Sequence, residues 1–185
     1  MKKGKLFVIS GPSGVGKDTI VKEYLKENEG MLSISATTRK PRKTEIDGKD
    51  YYFLTKRKFE KWIKEDNFLE YATYNDNYYG TPKSEVIEKL ESGIDVFLII
   101  EVQGGLIIKE KMPKSVLIFL LPPSLEELEE RIRIRNLDSE EMIKNRLKIA
   151  LIEIDISNKY DYVITNNKIE STLNKLSMII NEEKK

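Results

Sequence analysis

One stretch near the start restricts the fold of this chain more than any other. It runs Lys5–Ser10 (KLFVIS), then Gly11-Pro12-Ser13-Gly14-Val15-Gly16-Lys17-Asp18-Thr19, then IVKEYLKEN. Lys5 to Ser10 is a short apolar run rich in β-formers, the pattern of a buried strand. Gly11 to Lys17 keeps the phosphate-loop spacing G-x-x-x-x-G-K, and helical periodicity begins directly behind it. Glycines at 11, 14 and 16 admit turns closed to other residues, so successive backbone N–H groups can point into one concavity. The positive end of the following helix adds to that anion site, and Lys17 supplies a full charge. The segment Gly11–Thr19 therefore reads as a nucleoside triphosphate site. Asp18 breaks the pattern, which wants Ser or Thr after the lysine to reach a magnesium ion. The nearest hydroxyl here is Thr19.

Composition narrows the chemistry. With no Cys there are no disulfides, thiolate nucleophiles or cysteine zinc sites, and with no His the usual general base is missing. Catalysis must then rest on positioning, cations and carboxylates, and phosphoryl transfer is the reaction class that asks for little more. A formal net charge of +1 over 185 residues offers no bulk field for nucleic acid or membrane. No apolar segment is long enough to span a bilayer, and the charged N-terminus runs straight into a strand, so a cytoplasmic protein is expected.

Along the chain, Ile20, Val21, Tyr24 and Leu25 recur at helical spacing up to Gly30, and MLSIS reads as a second strand. The polar stretch ATTRKPRKTEIDGKDYYF holds an Asp47-Gly48 turn and a short strand at Tyr51 to Phe53. Its Arg39 and Arg42 are either part of a solvated basic loop or, near two tyrosines, a fork for one phosphate monoester. KRKFEKWIKEDN predicts an amphipathic helix with Phe59, Trp62 and Ile63 on its core face. FLEYATYNDNYYGTP predicts a strand pair turning near Asn75-Asp76-Asn77, with Glu70 between apolar neighbours. Thr81 as N-cap and Pro82 at the first helical position open a helix closed at Gly93. The run Asp95 to Glu101 ends on an acid, either a second phosphate-site carboxylate near magnesium or a surface residue. Val116–Leu121 is another buried strand, and Ser124 with Glu127 forms a capping box. Arg131, Arg133 and Arg135 follow on that helix. Asp138 with Glu141 forms a second box for a helix running from Glu141 to about Ser157 that contains Arg146. The two helices are either an arginine-bearing lid or an ordinary charged hairpin. Tyr162–Thr165 is the last strand, Asn166-Asn167 a turn, and Ile169–Ile180 the last helix. Strands alternating with helices give an α/β fold, a parallel sheet covered on both faces, with polar inserts after the second strand and after Pro123.

The combination GPSGVGK, ISATTRKPR, EIDGKDYYF, FLEYA, YYGTP, VQG, PPSLEELEERI and YDYVI-N resembles the guanylate kinase family over essentially the whole chain. That resemblance implies phosphoryl transfer from ATP to GMP, with dGMP as a further acceptor, aided by Mg2+. It divides the chain into a phosphate-loop core (1–34, 95–124 and 158–185), a GMP-binding insert (about 35–94) and a lid (about 125–157). By position, Arg39, Arg42, Tyr51 and Tyr79 match the clamp on the GMP phosphate, and Ser35, Glu70 and Thr81 match the guanine readers. Glu101 belongs with the GMP and magnesium side of the site. Lys17, Arg131, Arg135 and Arg146 match the cations around the transferred group, and Asn166 matches a residue near the adenine. A carboxylate can accept from guanine N1–H and the N2 amine, whereas adenine presents a lone pair at N1.

Two departures stand out. The family often has an acid-x-acid pair before VQG, and here Ile99 fills the first place and only Glu101 remains. Asp18 replaces the family's Ser or Gly, so Asp18 and Glu101 are expected to hold hydrated magnesium together. Two other readings stay open: a non-catalytic guanylate-kinase-like binding module, and a phosphate-loop kinase of another acceptor such as ribose 1,5-bisphosphate.

Overall fold

The computed structural model describes residues 2–74, 76–135 and 139–185, leaving aside the Arg135 side chain. Strand β1 (Leu6–Ser10) is buried along its whole length and feeds the glycine loop, and helix α1 (Lys17–Glu27) follows. β2 is only Met31–Leu32. β3 (Ala36–Thr37), β4 (Tyr52–Phe53), α2 (Lys56–Lys64), β5 (Phe68–Tyr74) and β6 (Asn77–Pro82) come next. Then follow α3 (Lys83–Glu91), β7 (Val96–Ile99), α4 (Val102–Lys111) and β8 (Val116–Leu121). α5 (Leu125–Arg135) and α6 (Glu140–Asp155) form the helical hairpin, and β9 (Tyr162–Thr165) and α7 (Ile169–Glu183) end the fold.

The main sheet is parallel, in the order β2-β7-β1-β8-β9. Side chains alternate across each strand, so β1 sends Phe7 and Ile9 to one face and Leu6 and Val8 to the other. The first face packs Ile20, Val21 and Tyr24 of α1 and Leu176 and Ile180 of α7. The second packs Val86 and Leu90 of α3 and Val102 and Ile108 of α4. A four-stranded sheet, β4-β3-β6-β5, forms the insert. Its small core is Phe59 of α2 stacked on Phe68 at 4.3 Å and Tyr78 at 5.1 Å.

The sequence expectations for Tyr162–Thr165, Val116–Leu121 and the Ser124 cap hold; the Glu127 N–H donates to Ser124 Oγ. Three differ. MLSIS pairs as a strand only at Met31–Leu32, since Ile34 and Ser35 leave toward the insert. Thr81 is not an N-cap: β6 continues through Pro82, the cap position itself, and the Thr81 hydroxyl turns inward to Glu70. The cap of α6 is Ser139, which accepts from the Met142 N–H; Asp138, expected there, lies outside the described residues, as does Asn75 of the hairpin turn. Helices of the insert and lid also pack on the main sheet. Val86 and Leu90, Leu128 and Ile132, and Ile143 and Ala150 all join the two clusters on the main sheet.

Candidate active site

The loop between β1 and α1 lies at the carboxyl edge of the sheet, where ligands of open α/β sheets bind. Two of its glycines are obligatory for local reasons. Gly11 (φ 147°) would place a Cβ 2.4 Å from the Leu120 carbonyl oxygen, and Gly16 (φ 100°) would place one 2.8 Å from Asn166 Nδ2. Lys17 is 9% exposed, and its ammonium donates to the carbonyls of Gly11 at 2.5 Å and Pro12 at 3.2 Å, curling back over the loop. Val15 is buried beneath it, while Ser13 and Thr19 are half-buried and Asp18 is exposed on the first turn of α1.

The underside of the loop is tied down by residues expected to touch nucleotide. Asn166 is buried; Nδ2 donates to the Val15 carbonyl at 2.7 Å and Oδ1 accepts from the Thr172 hydroxyl at 3.0 Å. One amide proton and one carbonyl lone pair of Asn166 are thus used on the loop and α7. Arg131 donates to the Val15 and Asn166 carbonyls and to Glu127 Oε1 at 2.6 Å, so it too braces the loop from below. Arg146 approaches from above, with Nη2 donating to Ser13 Oγ at 2.8 Å. The side chain of Arg135 lies outside the described residues.

From the loop a cleft of about 420 Å³ opens toward the insert, lined among others by Ser13, Ser35, Arg42, Tyr51, Glu70, Tyr79, Glu101, Gly104, Arg146 and Glu153. It therefore joins the loop, the lid helix α6 and the insert in one space. Glu70 lies in it only 6% exposed, its Oε1 accepting from Thr81 Oγ1 at 2.7 Å. Burial pushes the Glu70 carboxyl above its ordinary value, and the Thr81 hydrogen bonds offset part of that. The cause of this placement is an irregularity in β5 between Phe68 and Glu70. Phe68, Leu69 and Glu70 are all buried, entering the insert core, the main-sheet core and the cleft respectively. Gly104 lets α4 come close: a Cβ there would stand 3.0 Å from Glu70 Oε2.

Tyr51 and Tyr79 meet edge to face, with ring centroids 6.2 Å apart. Burial, and then the charge of Asp18 across the cleft, raise the Tyr51 phenol above its ordinary value, so it stays a protonated donor. Arg39 lies at the cleft edge over the Tyr51 ring (5.5 Å) and the Phe53 ring (5.8 Å). Arg42 lines the cleft itself.

Magnesium demands oxygen ligands and keeps several waters, so it rarely needs an all-protein cage. The residues fit that habit. Among the described residues no group of three or more acidic side chains could hold a cation. Instead Glu101 lies just beyond the end of β7 beside the loop, hydrogen-bonded to Glu153, whose carboxyl is pushed up to about 7 by burial and then by Glu101. Two adjoining carboxyls next to Lys17 are a donor set suited to a cation. Ile99, in the slot of the missing acid, is half-buried against the core and offers no ligand. Gly104 is the glycine of the VQG motif, whereas no sequence signal points to Glu153. The G-G pair at the start of α4 was the one visible sign of close packing there.

A phosphate loop sharing one cleft with a buried carboxylate is the arrangement of a phosphate-loop kinase acting on a small acceptor. Comparisons with known proteins agree. The family model described as guanylate kinase matches residues 3–183. A guanylate kinase of Fusobacterium nucleatum is 54% identical over 97% of this chain and 97% of its own length. One of Clostridioides difficile is 52% identical over 100% of this chain and 90% of its own. The crystal structure of guanylate kinase from Anaplasma phagocytophilum superposes with a TM-score of 0.80 at 34% identity, covering 98% of this chain and 87% of that one. The chain belongs to the guanylate kinase family.

Proposed function

We propose that this protein transfers the γ-phosphoryl group of ATP to GMP, forming ADP and GDP. The observation that carries this reading is Glu70, a buried carboxylate facing the cleft that runs to the phosphate loop. Its oxygens can accept from guanine N1–H and the N2 amine. Thr81 has a single hydroxyl proton and spends it on Glu70, so Ser35 is left to donate to guanine O6. Adenine would set a lone pair against Glu70, at a cost of roughly 1–3 kcal/mol for each failed pairing.

The acceptor phosphate is held by Arg39, Arg42 and the phenols of Tyr51 and Tyr79. Its oxygen is already anionic near neutral pH and needs alignment, not deprotonation. Lys17 turns from the loop carbonyls to the donor phosphates, while Arg146 neutralises the transferring group with help from Arg135. Arg131 and Asn166 keep the loop in shape for this. Mg2+ bound to ATP would be held through water by Glu101, with Glu153 beside it and Asp18 reaching from the first turn of α1, and would supply charge neutralisation between the two phosphate chains. A cytoplasmic setting suits these substrates, and among the described residues no helix is long and apolar enough to cross a membrane. A complete loop with Lys17 argues against the non-catalytic module, and Glu70 with Thr81 argues against a sugar phosphate acceptor.

A coupled ADP-release assay with ATP and magnesium tests this, offering GMP, dGMP, AMP, UMP and ribose 1,5-bisphosphate separately. Turnover with GMP, or with GMP and more slowly dGMP, is expected. Binding of GMP without turnover of any acceptor would favour the module instead.

A further inference from the structure

Glu45 follows Arg42 in the insert, and none of the roles above uses it. Its carboxylate accepts from Arg39 through both terminal nitrogens, Nη1 to Oε2 at 2.9 Å and Nη2 to Oε1 at 2.8 Å. Oε2 also accepts the backbone N–H of Arg42 at 2.7 Å, and the Glu45 N–H returns to the Arg42 carbonyl at 3.1 Å. The pair is shielded, with side chains 19% and 14% exposed. The Arg39 guanidinium holds the Glu45 carboxyl below the usual carboxylate range, so it remains ionised at neutral pH.

A guanidinium has five N–H donors in a fixed plane. Glu45 takes two of them end-on, and the Lys40 carbonyl takes the second proton of Nη1 at 2.8 Å. The two that remain, Nε–H and the second proton of Nη2, form the side-on fork that fits two phosphate oxygens. The phenol oxygen of Tyr79, a cleft residue, meets Arg39 as an acceptor on this remaining edge, so the edge faces the cleft, and an incoming phosphate would take that contact over. We infer that Glu45 is the positioning residue of the acceptor-phosphate clamp: it occupies one edge of Arg39 and thereby presents the other to the phosphate. The inference rests on the GMP kinase reading above.

The opposite role, a carboxylate that mimics the phosphate and must leave before GMP binds, fits the geometry less well. Glu45 is anchored to the Arg42 backbone as well as to Arg39, so its place is built into its own turn. It orders both arginines of the clamp together.

The test uses the full chain with Glu45→Gln and Glu45→Asp, measuring KM for GMP and ATP and calorimetric Kd for GMP and guanosine. Loosening one rotamer-rich cation should raise KM and Kd for GMP about tenfold. Kd for guanosine, which has no phosphate, and KM for ATP should not move. In an Arg39→Lys background, where no fork exists to orient, Glu45→Gln should add nothing further. Tighter GMP binding in Glu45→Gln would establish the mimic and overturn the proposal. Equal weakening of guanosine and GMP would reduce Glu45 to a structural role and overturn it too, as would unchanged GMP binding. Absence of GMP binding and turnover in the unmodified chain would instead overturn the kinase reading itself.

Discussion

Replacing Glu70 with Gln changes almost no volume but removes the charge and one acceptor from the base pocket. The glutamine can keep the hydrogen bond from Thr81 through its single carbonyl oxygen, because Thr81 lies 2.7 Å from Glu70 Oε1. Its amide then faces guanine N1–H, donor against donor. GMP thus loses the N1–H bond outright and is left a neutral acceptor for its N2 amine, where each bond to the charged carboxylate is worth roughly 1.5–3 kcal/mol. Allowing for relaxation, a loss of about 3–4 kcal/mol corresponds to a fall in kcat/KM for GMP of roughly 200- to 1,000-fold. For AMP the same amide is a donor to the adenine N1 lone pair, so its kcat/KM should rise. The coupled assay run with both nucleotides reads the ratio directly. A Glu70→Gln enzyme that keeps its GMP to AMP ratio, or loses ATP affinity in parallel, would refute the role of this carboxylate. Stability should move the other way. Burial raises the folded-state pKa of Glu70 above its unfolded value, so protonation favours the fold and that contribution is lost as pH rises through the folded pKa. The glutamine variant carries no such loss. Its melting temperature should match or exceed the parent's near pH 8, and the gap should close as the pH falls below the unfolded carboxylate value.

Gly104→Ala would put a methyl 3.0 Å from Glu70 Oε2, so KM for GMP should rise about tenfold with KM for ATP unmoved, measured by steady-state kinetics. Asn166→Ala removes the short bond to the Val15 carbonyl, which keeps only the 3.3 Å contact from Arg131, and one of the two acceptors of the Thr172 hydroxyl, costing roughly 1–3 kcal/mol. Calorimetry should show a melting temperature lower by about 3–10 °C. Asp18→Ser should raise the magnesium concentration for half-maximal rate about three- to tenfold if Asp18 shares hydrated magnesium with Glu101. An unchanged magnesium titration would return Asp18 to a plain helix N-terminal acid.

Much of the fold was legible because its signals are local. The strand, glycine loop and helix at Lys5–Lys26 follow from residue periodicity and from turns only glycine can make. Val116–Leu121, the Ser124 cap and Tyr162–Thr165 announce themselves the same way. Lys17 was proposed from the spacing of its loop, whereas Arg42, Tyr51, Tyr79 and Glu70 received their expected roles only from the family resemblance. What needed the fold was every statement about where a polar side chain spends its hydrogen bonds. Thr81 looks like a helix cap from its neighbours, yet a buried carboxylate across the hairpin takes its proton. Asn166 matches a residue near the adenine by its motif, and only the fold shows that it also satisfies a loop carbonyl 151 residues away in sequence. Glu45 reads as one acid among lysines until the turn brings it against Arg39. Periodicity and turn chemistry are properties of adjacent residues, so the chain states them outright. Hydrogen-bond partnership and burial depend on what long-range packing delivers, and only the assembled core, with α3, α4 and the hairpin helices closing on the sheet, supplies it.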